Sequence, residues 1–209
     1  MSTEATPEPL PEIQFQPMSY TVGHWKMFVP QGAYELSAPY QRGSVWTLEQ
    51  RRALVKSLYM HLPIGSVIIS KIRYRQDGVS FRVIDGRQRI EAIVAFTQDE
   101  FTVPAWWFRP GDLRAEAAGN AEVTWSDLSD AAATRLEVAA HFPALEFNGQ
   151  VDIWFDAEGK RQSRERSDDE VLAMEAQIFD LINFGGTAQT EENRERARQV
   201  AAHPEQHQS

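Results

Sequence analysis

The sequence has 209 residues, of which 42% are hydrophobic and 24% are charged, and a chain of this size can bury the core of one ordinary domain. Because it contains no cysteine, a disulfide scaffold, a thiolate zinc site, an iron–sulfur cluster and a cysteine nucleophile are excluded. Its apolar runs are shorter than the ~20 residues of a membrane-spanning helix, and its first residues lack the pattern of a signal peptide. We therefore expect a soluble, cytoplasmic protein without a membrane partner.

The charge is unevenly distributed. The net charge of −9 argues against nucleic-acid binding through the overall field of the protein. Residues 36–93, however, contain ten Lys and Arg and four Asp and Glu, a net charge of +6, so the rest of the chain carries −15. This segment indicates a local anion site for a nucleotide or a nucleic-acid phosphate. The alternative is that several of its basic side chains lie on solvated helix faces.

The two ends of the chain differ in composition from its middle. Residues 1–17 contain four prolines and three glutamates, and such a composition predicts a disordered tail. The polar residues 203–209 are predicted to fray. Since no repeat or long linker divides the remainder, we expect a single domain over residues 18–202.

The first half of the chain is predicted to contain two helices and a strand pair. Thr47 and Gln50 have the spacing of a capping box, and apolar residues recur at helical period until Pro63. Gln76-Asp77-Gly78 is typical of a hairpin turn. The predicted elements are an extended segment at 32–39, a helix at 47–62, strands at 66–74 and 79–84, and a helix at 87–96.

The second half is predicted to contain further hairpins and helices. Asn148-Gly149 is typical of a type I′ hairpin turn, and Ser167 and Glu170 have capping-box spacing. The predicted elements are a short strand at 103, a helix at 126–141 capped by Thr124 or Ser126, strands at 144–147 and 150–155, a helix from 168 to Gly185-Gly186, and a helix at 191–202 capped by Thr190. Segregated hairpins and helices indicate an α+β fold.

The segment Asp85-Gly86-Arg87-Gln88-Arg89 lies where a predicted strand ends and a helix begins. Unpaired N–H groups and the helix dipole favour an anion at that position, and glycine permits a tight turn. The two arginines match phosphate oxygens. The Asp85 carboxylate can hold magnesium, act as a general base or orient the arginines. The structural alternative is that Asp85 caps the helix and pairs with Arg89.

A second polar cluster, Tyr40-Gln41-Arg42, precedes the Thr47 helix. Tyr40 or Trp46 can stack on a base, while Gln41 and Arg42 can reach its edge or a phosphate. Both aromatic residues can instead belong to the core, which is the favoured interpretation for Trp46. Arg42 has no evident role in packing.

Three other features have a structural interpretation that we favour over a functional one, and a fourth, Asn183, has both a structural and a functional interpretation. His61 is interpreted as a cap or a partly buried side chain, and Trp106-Trp107 as part of the core and not as an exposed stacking platform. Residues 168–170 place acids in the first turn of a helix, which the helix dipole explains. Asn183 with the following glycines is typical of a left-handed helix end.

The order of these motifs resembles a known family. Pro39-Tyr-Gln-Arg, Trp46, Asp85-Gly-Arg-Gln-Arg and the segment Ile178–Thr187 are similar to the ParB/sulfiredoxin-like domain of the GmrS type. This is the N-terminal half of GmrSD-like modification-dependent restriction enzymes and is also found in phage ParB-like nuclease proteins. The resemblance covers about residues 30–200.

The resemblance implies a ParB/sulfiredoxin-like mixed sheet with flanking helices, and binding and hydrolysis of a nucleoside triphosphate. It assigns catalysis to Asp85, Arg87, Gln88 and Arg89. It assigns nucleotide or phosphate binding to Tyr40, Gln41, Arg42, Gly86 and Asn183. Mg²⁺ is the expected cofactor, with Asp85 as its ligand.

The sequence departs from the family in two respects. The third motif position is Arg87, where the family usually has glutamine, and this change adds charge and can alter nucleotide choice or abolish turnover. The His-Asn-His domain that usually follows is not recognisable, because the five histidines lack the spacing of paired metal ligands. We therefore expect DNA cutting to need another chain or to use the ParB-like site itself.

These observations favour a nucleotide-dependent phosphohydrolase or nuclease of the ParB-like class, acting in phage or mobile-element DNA metabolism. A phosphotransferase on the same fold is an alternative. So is a non-catalytic module that senses nucleotide or modified DNA and regulates a partner. Contact with DNA is expected to be local, through Arg42, Arg73 and Arg75.

Overall fold

The computed structural model describes residues 13–41, 46–72, 78–184, 199–200 and 202. Its strands are β1 Phe15–Thr21, β2 Tyr34–Glu35, β3 Val67–Lys71, β4 Phe81–Asp85, β5 Val103–Pro104, β6 Glu122–Val123, β7 His141–Phe147, β8 Val151–Phe155 and β9 Arg161–Glu165. Its helices are α1 Val22–Phe28, α2 Leu48–Tyr59, α3 Arg87–Thr97, α4 Asp130–Ala139 and α5 Asp168–Phe184. None of the helices in these ranges is long and apolar enough to cross a membrane.

A mixed five-stranded sheet forms the centre of the fold, in the order β1-β7-β3-β4-β2. The pairs β1–β7 and β3–β4 are antiparallel, whereas β7–β3 and β4–β2 are parallel. β4 therefore lies inside the sheet. Its last residue, Asp85, pairs with Ile68 of β3, whereas β2 pairs only with the first two residues of β4. The α+β prediction is confirmed.

Alternating side chains of the central strands enter two different cores. Val67 and Val83 face a large core that also contains apolar residues of α1, α2, α3 and α4. Ile68 and Ile84 face a second core that is covered by α5. The period of two along a strand produces this alternation, so the sheet is buried on both sides where the functional motifs lie.

Local capping explains where two of the predicted helices begin. The Thr47 side chain accepts from the Gln50 amide while the Gln50 side chain accepts from the Thr47 amide, which completes the predicted capping box. Ser167 and Glu170 make the same reciprocal contacts at the start of α5. Both predicted capping boxes are confirmed.

The start of α4 differs from the prediction. Ser129, and not Thr124 or Ser126, caps this helix by accepting from the Ala132 amide. The Thr124 amide donates instead to Asp127, and the Ser126 amide donates to Asp99. These aspartates hold residues 124–127 in a turn, which delays the helix.

The predicted hairpin at Asn148-Gly149 is wrong. β7 pairs with β1 and β3 in the main sheet, whereas β8 pairs with β9 in a separate two-stranded sheet. The Arg166 guanidinium donates to the Gly149 carbonyl at 3.0 Å. Gly149 lacks the positive φ of a type I′ turn, so the chain leaves the main sheet at this point.

Strand β1 includes residues that were predicted to belong to a disordered tail. β1 starts at Phe15, whose ring centroid lies 5.9 Å from that of Phe147, so residues 15–17 are not part of a disordered tail. The predicted tails at 1–12 and 203–209, the turn at 76–77 and the helix end at 185–186 lie outside the described residues. Of the predicted helix 191–202, residues 199, 200 and 202 are described, and they are helical.

Candidate functional site

The turn between β4 and α3 brings Asp85 to the start of a helix. Gly86 is the N-cap of α3 with φ of 89°, a left-handed conformation that glycine adopts without steric cost. A β-carbon on Gly86 would lie 2.6 Å from Val67 Cγ1. The turn therefore requires glycine for both its conformation and its packing. The first N–H groups of α3 have no intrahelical acceptor and form an electropositive end.

Arg89 is fixed by two acceptors on opposite sides of this turn. Its Nη2 donates to Asp85 Oδ2 at 2.9 Å, and its Nη1 donates to the Ile64 carbonyl at 3.1 Å. Asp85 therefore pairs with Arg89, as the structural alternative predicts, but Gly86 and not Asp85 occupies the cap position. The loop that contains Ile64 was missed as part of the site. Its Pro63-Ile64-Gly65 sequence signals a tight turn but gives no sign of the contact with Arg89.

Arg87 is anchored along its own helix. Its Nε donates to Glu91 Oε1 at 2.6 Å. The neighbouring Gln88 has its Oε1 buried without a hydrogen bond among the described residues. The formal charges of Asp85 and Glu91 balance those of Arg87 and Arg89. The excess positive potential at this turn therefore comes from the helix end.

Gln41 fastens the preceding loop to the end of β4. Its side-chain amide nitrogen donates to the carbonyls of Val83 and Ile84, each at 2.7 Å. The orientation of the side-chain amide follows from these two carbonyls. Both can only accept a hydrogen bond, so the amide atom that faces them must be the nitrogen and not the oxygen. Oε1 is buried and has no hydrogen-bond donor among the described residues. The structure thus joins Gln41 to the strand that ends in Asp85.

Tyr40 does not have the exposure that base stacking needs. It is 1% exposed, and its ring centroid lies 5.3 Å from that of Phe179 in α5. Burial, followed by the nearby Glu175 carboxylate, raises the pKa of Tyr40 well above 10.0. The prediction that Tyr40 binds nucleotide directly is therefore corrected: its side chain belongs to the second core.

A buried charged cluster beside Tyr40 was missed in the sequence. Arg82 Nη1 donates to Glu175 Oε2 at 2.7 Å, and Arg82 Nε donates to Glu35 Oε2 at 3.0 Å. Glu175 is 0% exposed, and burial raises its pKa above 4.5 although Arg82 opposes the shift. Two signals could have revealed this cluster. Arg82 interrupts an apolar strand, and Glu175 lies on the apolar face of α5.

The remaining predicted site residues are placed as follows. Asn183 is near the end of α5, where its side-chain nitrogen donates to the Phe179 carbonyl at 2.7 Å. Among the described residues, Asn183 is connected to the site indirectly, because Phe179 in turn packs on Tyr40. Arg42, Arg73 and Arg75 lie outside the described residues.

The candidate magnesium ligand is a single carboxylate. Among the described residues, no group of three or more His, Asp and Glu side chains could hold a metal ion. The Asp85–Arg89 bond uses Oδ2. Because Mg²⁺ is commonly held by one or two carboxylates together with substrate phosphates and water, Asp85 fits a magnesium ion that arrives with a nucleotide, but not one held by protein alone.

The side features have mixed outcomes. Trp46 is partly buried against the large core, as favoured, and His61 follows α2 with φ of 54°. Trp106 is 76% exposed, so the core interpretation is wrong for this residue. The short helical turn Ala105–Trp107 explains the difference, since Ala105 and Phe108 face the core and Trp106 points outward.

Comparison with known proteins identifies the family. The family model described as the N-terminal domain of the GmrSD restriction endonuclease matches residues 31–202, and this range contains both polar motifs and the cluster around Glu175. No curated protein and no solved structure matches the chain significantly. The match spans most of the sequence, and the chain belongs to the family of GmrSD restriction endonuclease N-terminal domains.

Proposed function

We propose that this chain binds a nucleoside triphosphate with Mg²⁺ at the start of α3 and hydrolyses it in support of DNA restriction. The observation that carries the proposal is the left-handed Gly86 turn. It joins the end of β4 to a helix N-terminus with Arg89 fixed beside it. A helix N-terminus with adjacent guanidinium groups is suited to phosphate oxygens.

The roles of the residues follow from their positions. N–H groups at the start of α3 and the guanidinium groups of Arg87 and Arg89 would bind the phosphates. Asp85 would accept the proton of the attacking water, whose oxygen forms the new bond to the γ-phosphorus while the bond to the bridging oxygen breaks. Mg²⁺, held by Asp85 and the phosphates, would stabilise the charge on the leaving diphosphate.

Gln41 has a separate role in this proposal. Its nitrogen is occupied by the β4 carbonyls, so its Oε1 is the atom that can accept a hydrogen bond from a ligand. A phosphate oxygen accepts but does not donate in its ionised form, so the matching group would be an N–H or O–H of the nucleoside. This directs the base or the sugar toward Gln41 and the phosphates toward Arg89.

The nuclease step is proposed at the level of the family. Restriction of DNA would use the energy or the binding state of the nucleotide, with contact to DNA through a small basic surface and with a separate nuclease or partner chain. Phosphoryl transfer to another acceptor would need the same phosphate site. A module that only senses nucleotide would bind it without hydrolysing it. Separate measurements of binding and of phosphate release therefore distinguish an enzyme from a sensing module.

The test compares Asp85→Asn and Arg89→Ala with the wild type. Calorimetry measures triphosphate binding with and without Mg²⁺, and phosphate release measures turnover. Arg89→Ala should weaken binding at least tenfold, because bonds to charged groups contribute about 1.5–3 kcal/mol. Asp85→Asn should lose turnover while triphosphate binding without Mg²⁺ is retained, since an amide neither accepts the proton of water nor replaces a carboxylate as a ligand of Mg²⁺.

A more exposed ion pair at the start of another helix provides the control. Arg114 Nη2 lies 2.6 Å from Asp130 Oδ1 at the start of α4. Arg114→Ala and Asp130→Asn should leave binding and turnover unchanged. Binding that is equal in the wild type and in Arg89→Ala would overturn the phosphate site. Binding without phosphate release in the wild type would identify a sensing module.

A further inference from the structure

The second core contains a polar cluster that is poorly explained by stability. The hydroxyls of Tyr40 and Ser70 are buried against the Glu175 carboxylate and interact with it. Burying a carboxylate and two hydroxyls costs desolvation free energy, so a core built for stability alone would hold apolar groups at these positions.

The cluster connects α5 to the end of β4 by two routes. The first runs through Arg82, which lies on β4 three residues before Asp85 and binds Glu175 directly. The second runs through Tyr40, whose ring packs on Phe179, one turn after Glu175 in α5. Its neighbour in sequence, Gln41, holds the β4 carbonyls that precede Asp85.

Glu35 completes the arrangement from the other side. It lies on β2, which pairs in parallel with β4, and it shares Arg82 with Glu175. One guanidinium with a 12% exposed side chain is thus bound by carboxylates from β2 and α5. Since the guanidinium is planar and rigid, these contacts fix the position of β4 relative to β2 and to α5.

We propose that Glu175 is a positioning residue for the nucleotide site. Through Arg82 and Tyr40 it holds β4 and the Gln41 loop in register, so that α5 sets the geometry of the turn at Asp85. The inference rests on the proposed function for its consequence in catalysis. The mechanical coupling is a property of the chain without ligand and can be measured separately.

The test uses the full chain and amide hydrogen exchange over residues 83–88 in the absence of nucleotide. Glu175→Met removes the carboxylate at similar volume, and Tyr40→Phe removes the hydroxyl while it keeps the ring. Glu175→Met should raise exchange in this segment about tenfold, as expected when one bond to a charged group is lost from a local opening unit. Tyr40→Phe, which removes the hydroxyl beside the carboxylate, should change exchange in the same direction. Tyr40→Phe keeps the test decisive if Glu175→Met fails to fold.

The matched control is Ile178→Val, which removes one methylene from α5 in the same core. It should loosen α5 without faster exchange at residues 83–88. Unchanged exchange in Tyr40→Phe, or an equal increase in Ile178→Val, would overturn the coupling.

Steady-state kinetics of triphosphate hydrolysis then tests whether the coupling affects the nucleotide site. Tyr40→Phe should raise the KM for triphosphate and lower kcat, whereas Ile178→Val should change neither. Faster exchange in Tyr40→Phe with unchanged kinetic constants would overturn the positioning role. If Arg89→Ala leaves triphosphate binding unchanged while the exchange results hold, the proposed function fails and the coupling stands.

Discussion

A β-carbon on Gly65 would lie 2.6 Å from Nη1 of Arg89. The same Nη1 donates to the carbonyl of Ile64, the residue before this glycine. The loop before β3 therefore supports the guanidinium from behind, and it does so at a distance that leaves no space for a side chain. This contact joins two segments that are separated in sequence by a complete strand pair.

We expect Gly65→Ala to displace the Arg89 guanidinium and to weaken triphosphate binding by about tenfold, the effect of losing a hydrogen bond to a charged group. Because φ at Gly65 is 76°, alanine also costs about 1 kcal/mol of unfolding free energy. Gly32→Ala is the matched control, since φ is 78° and no atom lies within 4 Å of the added carbon. Calorimetry should show weaker binding in Gly65→Ala only, while urea denaturation shows similar losses in both. Equal binding in the two variants would mean that Arg89 does not contact the phosphates.

Glu91→Gln should tighten triphosphate binding. Glu91 lies 2.6 Å from Nε of Arg87, and its negative charge opposes phosphate at the helix start. Removing it should raise affinity about fivefold at low ionic strength, an effect of about 1 kcal/mol that salt screens. Glu122→Gln changes the net charge equally at a pair with Arg52 of α2, and it should leave affinity unchanged. Weaker binding in Glu91→Gln would show that Glu91 is needed to orient Arg87.

Local patterns predicted the elements around the site well. The capping boxes at Thr47 and Ser167 depend on residues three positions apart, and the glycine turn before α3 depends on adjacent residues. Each is therefore visible in a short window of sequence. The α+β class and the position of Asp85 at a strand end followed from these windows.

The predictions that were wrong, and the residues that were missed, involve contacts between residues that are distant in sequence. Asn148-Gly149 has the composition of a hairpin turn, but the pairing of β7 with β1 and β3 overrides it. Tyr40 is next to polar residues, yet α5 covers it. The Arg82–Glu175 pair joins residues 93 positions apart, and no local rule indicates which charge on another element it would meet.

The stability of the protein should depend on the ionisation of Glu175. Burial raises its pKa above the ordinary 4.5, so the folded state retains this proton to higher pH than the unfolded state. The contribution to stability is complete below pH 4.5 and is lost as the pH rises through the raised pKa. Glu175→Gln lacks this titration. The unfolding free energy of Glu175→Gln relative to the wild type should therefore increase as the pH rises from 4.5 through the raised pKa.

Urea denaturation at several pH values measures this difference, and contributions from groups shared by both proteins cancel. Glu170→Gln is the control, because this exposed carboxylate has its pKa lowered by the Ser167 amide and Arg164. Its effect should have the opposite sign. For Glu175→Gln, a difference that decreases with pH would show that the attraction of Arg82 outweighs the cost of burial.

Binding to unmodified DNA should be weak at physiological ionic strength. The basic segment 36–93 carries +6 within a protein of net charge −9, so repulsion from the rest of the chain opposes any extended contact with the duplex. The candidates for contact with the DNA backbone are Arg42, Arg73 and Arg75. They would neutralise about three phosphates, which gives a slope of about −3 in log K against log salt.

Fluorescence anisotropy with a short duplex at two salt concentrations measures both affinity and slope. Arg42→Ala should lower affinity at low salt and reduce the slope by about one unit. Arg164→Ala, which removes an exposed arginine of β9 that pairs with Glu170 of α5, should change neither. Tight binding at about 150 mM salt that Arg42→Ala does not affect would place the DNA surface elsewhere on the molecule, because a contact of only three phosphates cannot withstand that ionic strength.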